Sequence, residues 1–151
     1  MKFFFLILLF INLQSKGILG SIDKLDFPLL NLGNIEYRID TGATNSSLHC
    51  TNIERIDETH VKFKVLGQNS FIKPISRIKD VKSSNGIIHK RFFIKTEVLI
   101  FGKIYISELS LNDRSSMTYP FLLGRDILTQ DFLVDVNKEN LSFKLKENIK
   151  N

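Results

Sequence analysis

Ile35-Glu36-Tyr37-Arg38-Ile39-Asp40-Thr41-Gly42-Ala43-Thr44 is the stretch on which the fold turns. Ile35, Tyr37 and Ile39 alternate with Glu36 and Arg38, the period-2 pattern of a half-buried strand. That strand runs into Asp40, followed by a hydroxyl residue and a glycine. Aspartate and glycine are turn formers, so the triplet by itself marks the end of a strand. The same ending can also hold a carboxylate at a tight turn beside the core. Two such carboxylates sharing one proton can activate water toward an amide bond. The triplet occurs once in the 151 residues, so a second carboxylate has to come from another copy of the chain.

Outward from this stretch, strand signals dominate. Val61, Phe63 and Val65 alternate with Lys62 and Lys64. Phe92, Ile94, Thr96, Val98 and Ile100 form a longer strand that Gly102-Lys103 punctuates, and Ile104 to Leu111 continue it as a hairpin. Phe121-Leu122-Leu123 is a continuous apolar run ending at Gly124, which predicts a buried strand able to pass beneath Asp40. Arg125 to Asp131 predict one short helix with Ile127 and Leu128 facing inward. Phe132 to Val136 and Leu141 to Leu145 read as two final strands around a turn at 137–140, with a frayed polar tail after them. Ser83-Ser84-Asn85-Gly86, between Val81 and Ile87-Ile88, carries the Asn-Gly hairpin signal. It reads either as a surface turn or as a hairpin folded over a cleft. Many short strands with frequent turns predict an all-β barrel, with one domain over 21–146 and a polar tail at 147–151.

Lys2 followed by the apolar run Phe3 to Leu13 and then Ser15, Gly17 and Gly20 has the form of a secretory signal, residues 1–20, with cleavage near 17–20. The run is short for a membrane span, which takes about 20 residues. The expectation is an exported protein, periplasmic or secreted, with anchoring by an uncleaved segment as the alternative. Net charge is +5, but the basic residues are scattered, and no aromatic-interleaved basic run points to a nucleic-acid partner. Cys50 is the one cysteine, so the fold stands without an intrachain disulfide.

Four blocks in order give the chain a family resemblance: Phe27-Pro28-Leu29-Leu30-Asn31-Leu32-Gly33; Ile39 to His49; Leu111-Asn112-Asp113-Arg114; and Met117 to Asp135 with its Leu-Leu-Gly-Arg. Together they resemble the retropepsin-like aspartic peptidases, in particular the bacterial branch labelled ATP-dependent zinc protease and associated with glutamate ligases of the RimK type. The resemblance covers about residues 26 to 137.

It implies a closed retropepsin-like barrel with one short C-terminal helix, pairing as a homodimer with the active site on the two-fold axis. Asp40 would be the catalytic carboxylate of an aspartic endopeptidase. Thr41 would hydrogen-bond across the dimer, and Gly42 would let the backbone turn. Ala43, Leu123, Gly124 and Arg125 would support the site. Ser83, Ser84, Asn85, Gly86 and His89 would belong to a flap over a peptide or peptide-like substrate. Like charges a few ångströms apart cannot both ionise, so one aspartate takes a proton from water while the other donates one.

Thr44 departs from the pattern, since the branch usually has arginine there and viral relatives an acid that pairs with the Gly-Arg arginine. Arg125 therefore needs another partner, with Asp113 and Asp126 both open. No cofactor is expected. The chain has neither His-Glu-Xaa-Xaa-His nor a phosphate-binding glycine loop. His49 and Cys50 are adjacent and would point to opposite strand faces, which makes them weak metal candidates. The alternative from another class is a non-catalytic module with the same fold that binds peptides in the same groove.

Overall fold

The computed structural model describes residues 16–67, 70–82 and 86–150. Six strands close a barrel in the order β10 (Lys103–Asn112), β4 (Ser47–His49), β11 (Phe121–Leu123), β3 (Leu32–Ile39), β2 (Ile22–Phe27) and β9 (Ile88–Ile100), with β9 returning to pair with β10. β8 (Arg77–Lys82) extends from β9 as an antiparallel arm, and β5 (Thr51–Arg55), β6 (His60–Lys64) and β7 (Ser70–Pro74) form a separate three-stranded sheet. β1 (Gly17–Leu19) pairs in parallel with β12 (Phe132–Val134). Helix α1 spans Arg125–Asp131 and helix α2 Leu141–Lys150. Among the described residues no helix is long and apolar enough to cross a membrane.

The alternation seen in the sequence is obeyed where one strand face meets the core. On β3, Ile35 and Tyr37 are buried while Glu36 and Arg38 are exposed; on β6, Val61 and Phe63 are buried between exposed Lys62 and Lys64. Phe27, Tyr37 and Phe121 meet at the barrel centre, with the Phe27 and Phe121 rings edge-to-face at 5.1 Å. Each large side chain removed from water this way contributes about 1.5–3 kcal/mol. The β9–β10 hairpin turns through Phe101 and Gly102, both at positive φ (50° and 72°), a conformation glycine adopts without strain.

The C-terminal end departs from the expected strand. Leu141, Phe143 and Leu145 alternate, yet the segment is helix α2, and Lys146 to Lys150 continue that helix instead of forming a frayed tail. A distant residue decides this. Asp23 of β2, fully buried, accepts hydrogen bonds from the Ser142 and Phe143 amides at 2.7 and 3.1 Å, satisfying donors that a helix start leaves open. Lys146 then reaches Asp26 at 2.7 Å, one helical turn further on. Among the described residues the fold thus has two short α-helices, not one.

Gly17 and Gly20 have structural partners as well as a place in the expected leader. Leu19 of β1 is fully buried, and its carbonyl accepts from the Asp135 amide at 2.9 Å. A Cβ on Gly20 would lie 2.1 Å from the Lys138 carbonyl oxygen, so only glycine fits where the chain passes from β1 to β2.

Candidate active site

β3 ends by delivering Asp40 into a turn, and β11 crosses alongside it in parallel register, Leu123 opposite Ile39. The Asp40 amide donates to the Leu123 carbonyl at 3.0 Å, fixing the aspartate to the crossing strand. Oδ1 of Asp40 accepts from the Gly42 and Ala43 amides at 3.0 and 3.1 Å. No hydrogen-bond partner is seen for Oδ2 among the described residues. The carboxylate is thereby aimed by backbone geometry, not by a flexible side chain. Thr41 is exposed beside it, and its hydroxyl makes no hydrogen bond among the described residues.

The loop after Asp40 is tied down by the start of α1. The Arg125 amide donates to the Ala43 carbonyl at 3.0 Å and the Asp126 amide to that of Thr44 at 3.1 Å. Beneath them lies a buried polar knot around Ser46. Its hydroxyl donates to Asp126 Oδ1 at 2.7 Å and accepts from the Gly124 amide at 3.0 Å, while Ser107 donates to Asp126 Oδ2. Gly124 is needed here because a Cβ would come within 2.7 Å of the Asn45 carbonyl carbon. Strand β11, helix α1 and the Asp40 loop are therefore tied together by hydrogen bonds and close packing.

Arg125 finds a partner that neither open alternative supplied. Its Nη2 donates to the Thr44 hydroxyl at 3.1 Å, so the departing residue gives the arginine a neutral acceptor in place of a carboxylate. Asp126 is spent on Ser46 and Ser107. Asp113 accepts from the Ser115 amide at 2.9 Å, which holds its carboxyl below the usual range.

His49 is half-buried, its Nδ1 accepting from the Arg114 amide at 2.9 Å, with Asp113 at 3.8 Å. Cys50 is fully enclosed and burial pushes its thiol pKa up, the environment of an inert core thiol. Of the expected flap, Ser83, Ser84 and Asn85 lie outside the described residues. Its flanks pair Lys82 with Ile88, Gly86 adopts φ 84°, and His89 is exposed. Val81 and His89 line a cavity with Arg91 and Phe92, on the β8–β9 arm.

Two arginines that the sequence left without a role border Asp40. Arg38 of β3 and Arg114 line one cavity of ≈ 500 Å³ together with Asp40, Met117, Tyr119 and Leu122. Arg38 could have been found, since strand alternation puts it two residues before Asp40 on the exposed face. Arg114 could not, because only the fold brings its loop to β3. On the far side of the loop, Asn45 is gripped by the Glu108 carbonyl and by Arg77, which pairs with Glu108 at 3.0 Å.

A closed six-strand barrel with a carboxylate turn locked to a crossing Leu-Leu-Gly strand is a retropepsin-like fold. The chain belongs to the RimB-like family, described as the retropepsin-like aspartic endopeptidase RimB, which it matches over residues 18–144. Among curated proteins it is similar to proteins named probable alpha-L-glutamate ligase, 37% identical over 132 residues in Shewanella halifaxensis and 31% over 131 residues in Desulfotalea psychrophila. These matches cover 81% and 80% of this chain but only 29% and 28% of the relatives, so the chain spans less than a third of their length. Among solved structures it resembles a Legionella pneumophila protein of unknown function, with a TM-score of 0.71 and 27% identity over 85% of this chain and 99% of that one.

Proposed function

We propose that this chain is an aspartic endopeptidase, a hydrolase that works as a homodimer with one Asp40 from each copy. The observation that carries the reading is the Asp40 carboxylate. One oxygen is anchored on two backbone amides, the other is left without a described partner, and a cavity opens beside it. Thr41, exposed and with no side-chain hydrogen bond among the described residues, suits a contact made across the dimer axis. In the reaction, Asp40 of one copy takes a proton from water as its oxygen bonds to the scissile carbonyl carbon. The other copy's protonated Asp40 gives its proton to the carbonyl oxygen. Collapse of the tetrahedral intermediate breaks the C–N bond: the proton taken from water passes to the leaving nitrogen, and the hydroxyl that becomes the new carbonyl returns its proton to the second Asp40. Gly86 and His89 on the β8–β9 arm are assigned to substrate closure. The N-terminal segment is assigned to export, with cleavage within the 17–20 window at a point that leaves the buried Leu19 on the mature chain.

The test is cleavage of a degenerate peptide library by the wild-type protein beside Asp40→Asn. We expect the variant to lose roughly a thousandfold or more in rate, and the wild type to be inhibited by pepstatin-like compounds but not by chelators. Inhibition by chelators alone would sink the aspartic mechanism.

A second reading is supported by the relatives' names. In them the matched region is a minor part of proteins named as ligases, a setting in which the barrel can serve as a peptide-binding module. Peptide binding that is indifferent to Asp40→Asn, with no cleavage by wild type, would favour it.

A further inference from the structure

We propose that the face formed by β1 and the outer side of α2 docks on the lipid bilayer across which the chain is exported, holding the mature protein at the membrane surface. Docking there rests on the role of the N-terminal segment in export, not on the peptidase chemistry.

Residues four apart share one side of a helix, and Leu141, Leu145 and Ile149 make such a stripe along α2. Leu145 and Ile149 are 45% and 78% exposed. Leu145 also lines two neighbouring cavities. Ile18, Phe101 and Leu141 border one of them, and Leu25, Phe101 and Ile149 the other. Ile18, 44% exposed, pairs in register with Leu133, which is exposed too, and register partners project from the same sheet face. Apolar side chains of β1, β12 and α2 therefore form one continuous exposed patch. A patch of this kind marks an interaction surface.

Position and charge say what covers it. The apolar run Phe3 to Leu13 ends four residues before Gly17. Four residues span at most about 14 Å, so a leader crossing the bilayer tethers β1 within that distance of the membrane. Among the residues lining the two cavities the acids are Asp26 and Asp131, and each is paired with a lysine, Lys146 and Lys103. Lys24, which also lines a cavity, pairs with Glu36 at 3.7 Å. Lys144 flanks Leu145 on α2, while Glu147 projects from the other side of the helix. Cleavage after Gly17 removes Lys16 but leaves an α-ammonium on Ile18. An apolar stripe bordered by cations, with its carboxylates neutralised, suits the interface of a bilayer containing anionic lipid. Neither cavity shares a lining residue with the Asp40 cavity, so docking leaves the cleft open.

The test is flotation of the mature chain, starting at Ile18, with vesicles of phosphatidylethanolamine and phosphatidylglycerol in equal parts. We expect the protein to float with the vesicles, and the double variant Leu145→Glu, Ile149→Glu to bind about tenfold more weakly or worse. Both side chains are exposed, so the variant's urea midpoint should stay close to that of wild type. Vesicles of phosphatidylcholine alone should bind wild type several-fold less. Wild type that does not float, or a double variant that floats equally well, overturns the membrane face. Sedimentation velocity identifies the rival occupant: self-association that the double variant loses, without flotation, means that a second copy covers the patch. N-terminal sequencing of the protein recovered from cells tests export separately. A chain that keeps Met1 inside the cell overturns export and, with it, docking on that bilayer. A processed chain that does not float overturns the membrane face and leaves export standing.

Discussion

At Gly124, space matters more than backbone freedom. The residue has no unusual φ, but the Asn45–Ser46 backbone passes where a Cβ would sit, with Asn45 C at 2.7 Å. Backbone cannot step aside as a side-chain tip can. Gly124→Ala should therefore push the Asp40 loop off the crossing strand, costing about 1–3 kcal/mol, the range for overpacking a filled interior. We expect a lower urea midpoint and a larger fractional loss of peptidase activity than of stability, because the displaced segment carries Asp40. An unchanged midpoint would show that the loop yields freely. Residues whose role depends on local chain geometry were legible in the sequence: Asp40, Gly42 and Gly124 sit where turn chemistry and an apolar run put them. Arg125 was recognised as needing a partner, but Thr44 as that partner was not, because a hydroxyl gives no charge signal. Ser46, Asp126 and Ser107 form one knot from three distant points of the chain, and no spacing rule joins them.

Among the elements, those with one face on the core were readable and those fixed by remote contacts were not. β3, β6, β9, β10 and β11 follow alternation or apolar run length, and α1 covers the residues expected of it. The α2 segment reads as a strand because Leu141, Phe143 and Leu145 suit period 2, whereas its hydrogen-bond acceptor, Asp23, lies near the other end of the chain. β1 raises a related question, since its residues fall inside the expected leader. With Leu19 fully buried and its carbonyl bonded to the Asp135 amide, removal of β1 exposes apolar surface on β12 and frees a backbone donor. A chain starting at Ser21 should be less stable than one starting at Lys16 by about 2 kcal/mol or more. Urea unfolding of the two purified forms tests this. Coincident curves would make cleavage after Gly20 harmless, whereas the expected gap favours cleavage that spares Ile18 and Leu19.

The molecule as a whole is a closed barrel with one carboxylate turn, so the proposed chemistry is a property of pairs. Rate should then follow dimer concentration, not chain concentration. On dilution below the dissociation constant of the dimer, activity per chain should fall in proportion to concentration. A second consequence needs no knowledge of that constant. When wild-type chains exchange freely with an equal amount of Asp40→Asn chains, about half of the wild-type copies end in mixed pairs, by random pairing of equivalent protomers. A mixed pair has one carboxylate and cannot share a proton between two, so activity per wild-type chain should drop to about half. A tenfold excess of the variant should abolish most of it. Inactive protein that bound substrate but never paired would mimic this by depletion, which saturating substrate removes. Sedimentation velocity on the same mixtures gives the fraction paired. Activity per wild-type chain that stays constant on dilution and on mixing would mean that one Asp40 suffices, and the two-fold site would have to be abandoned.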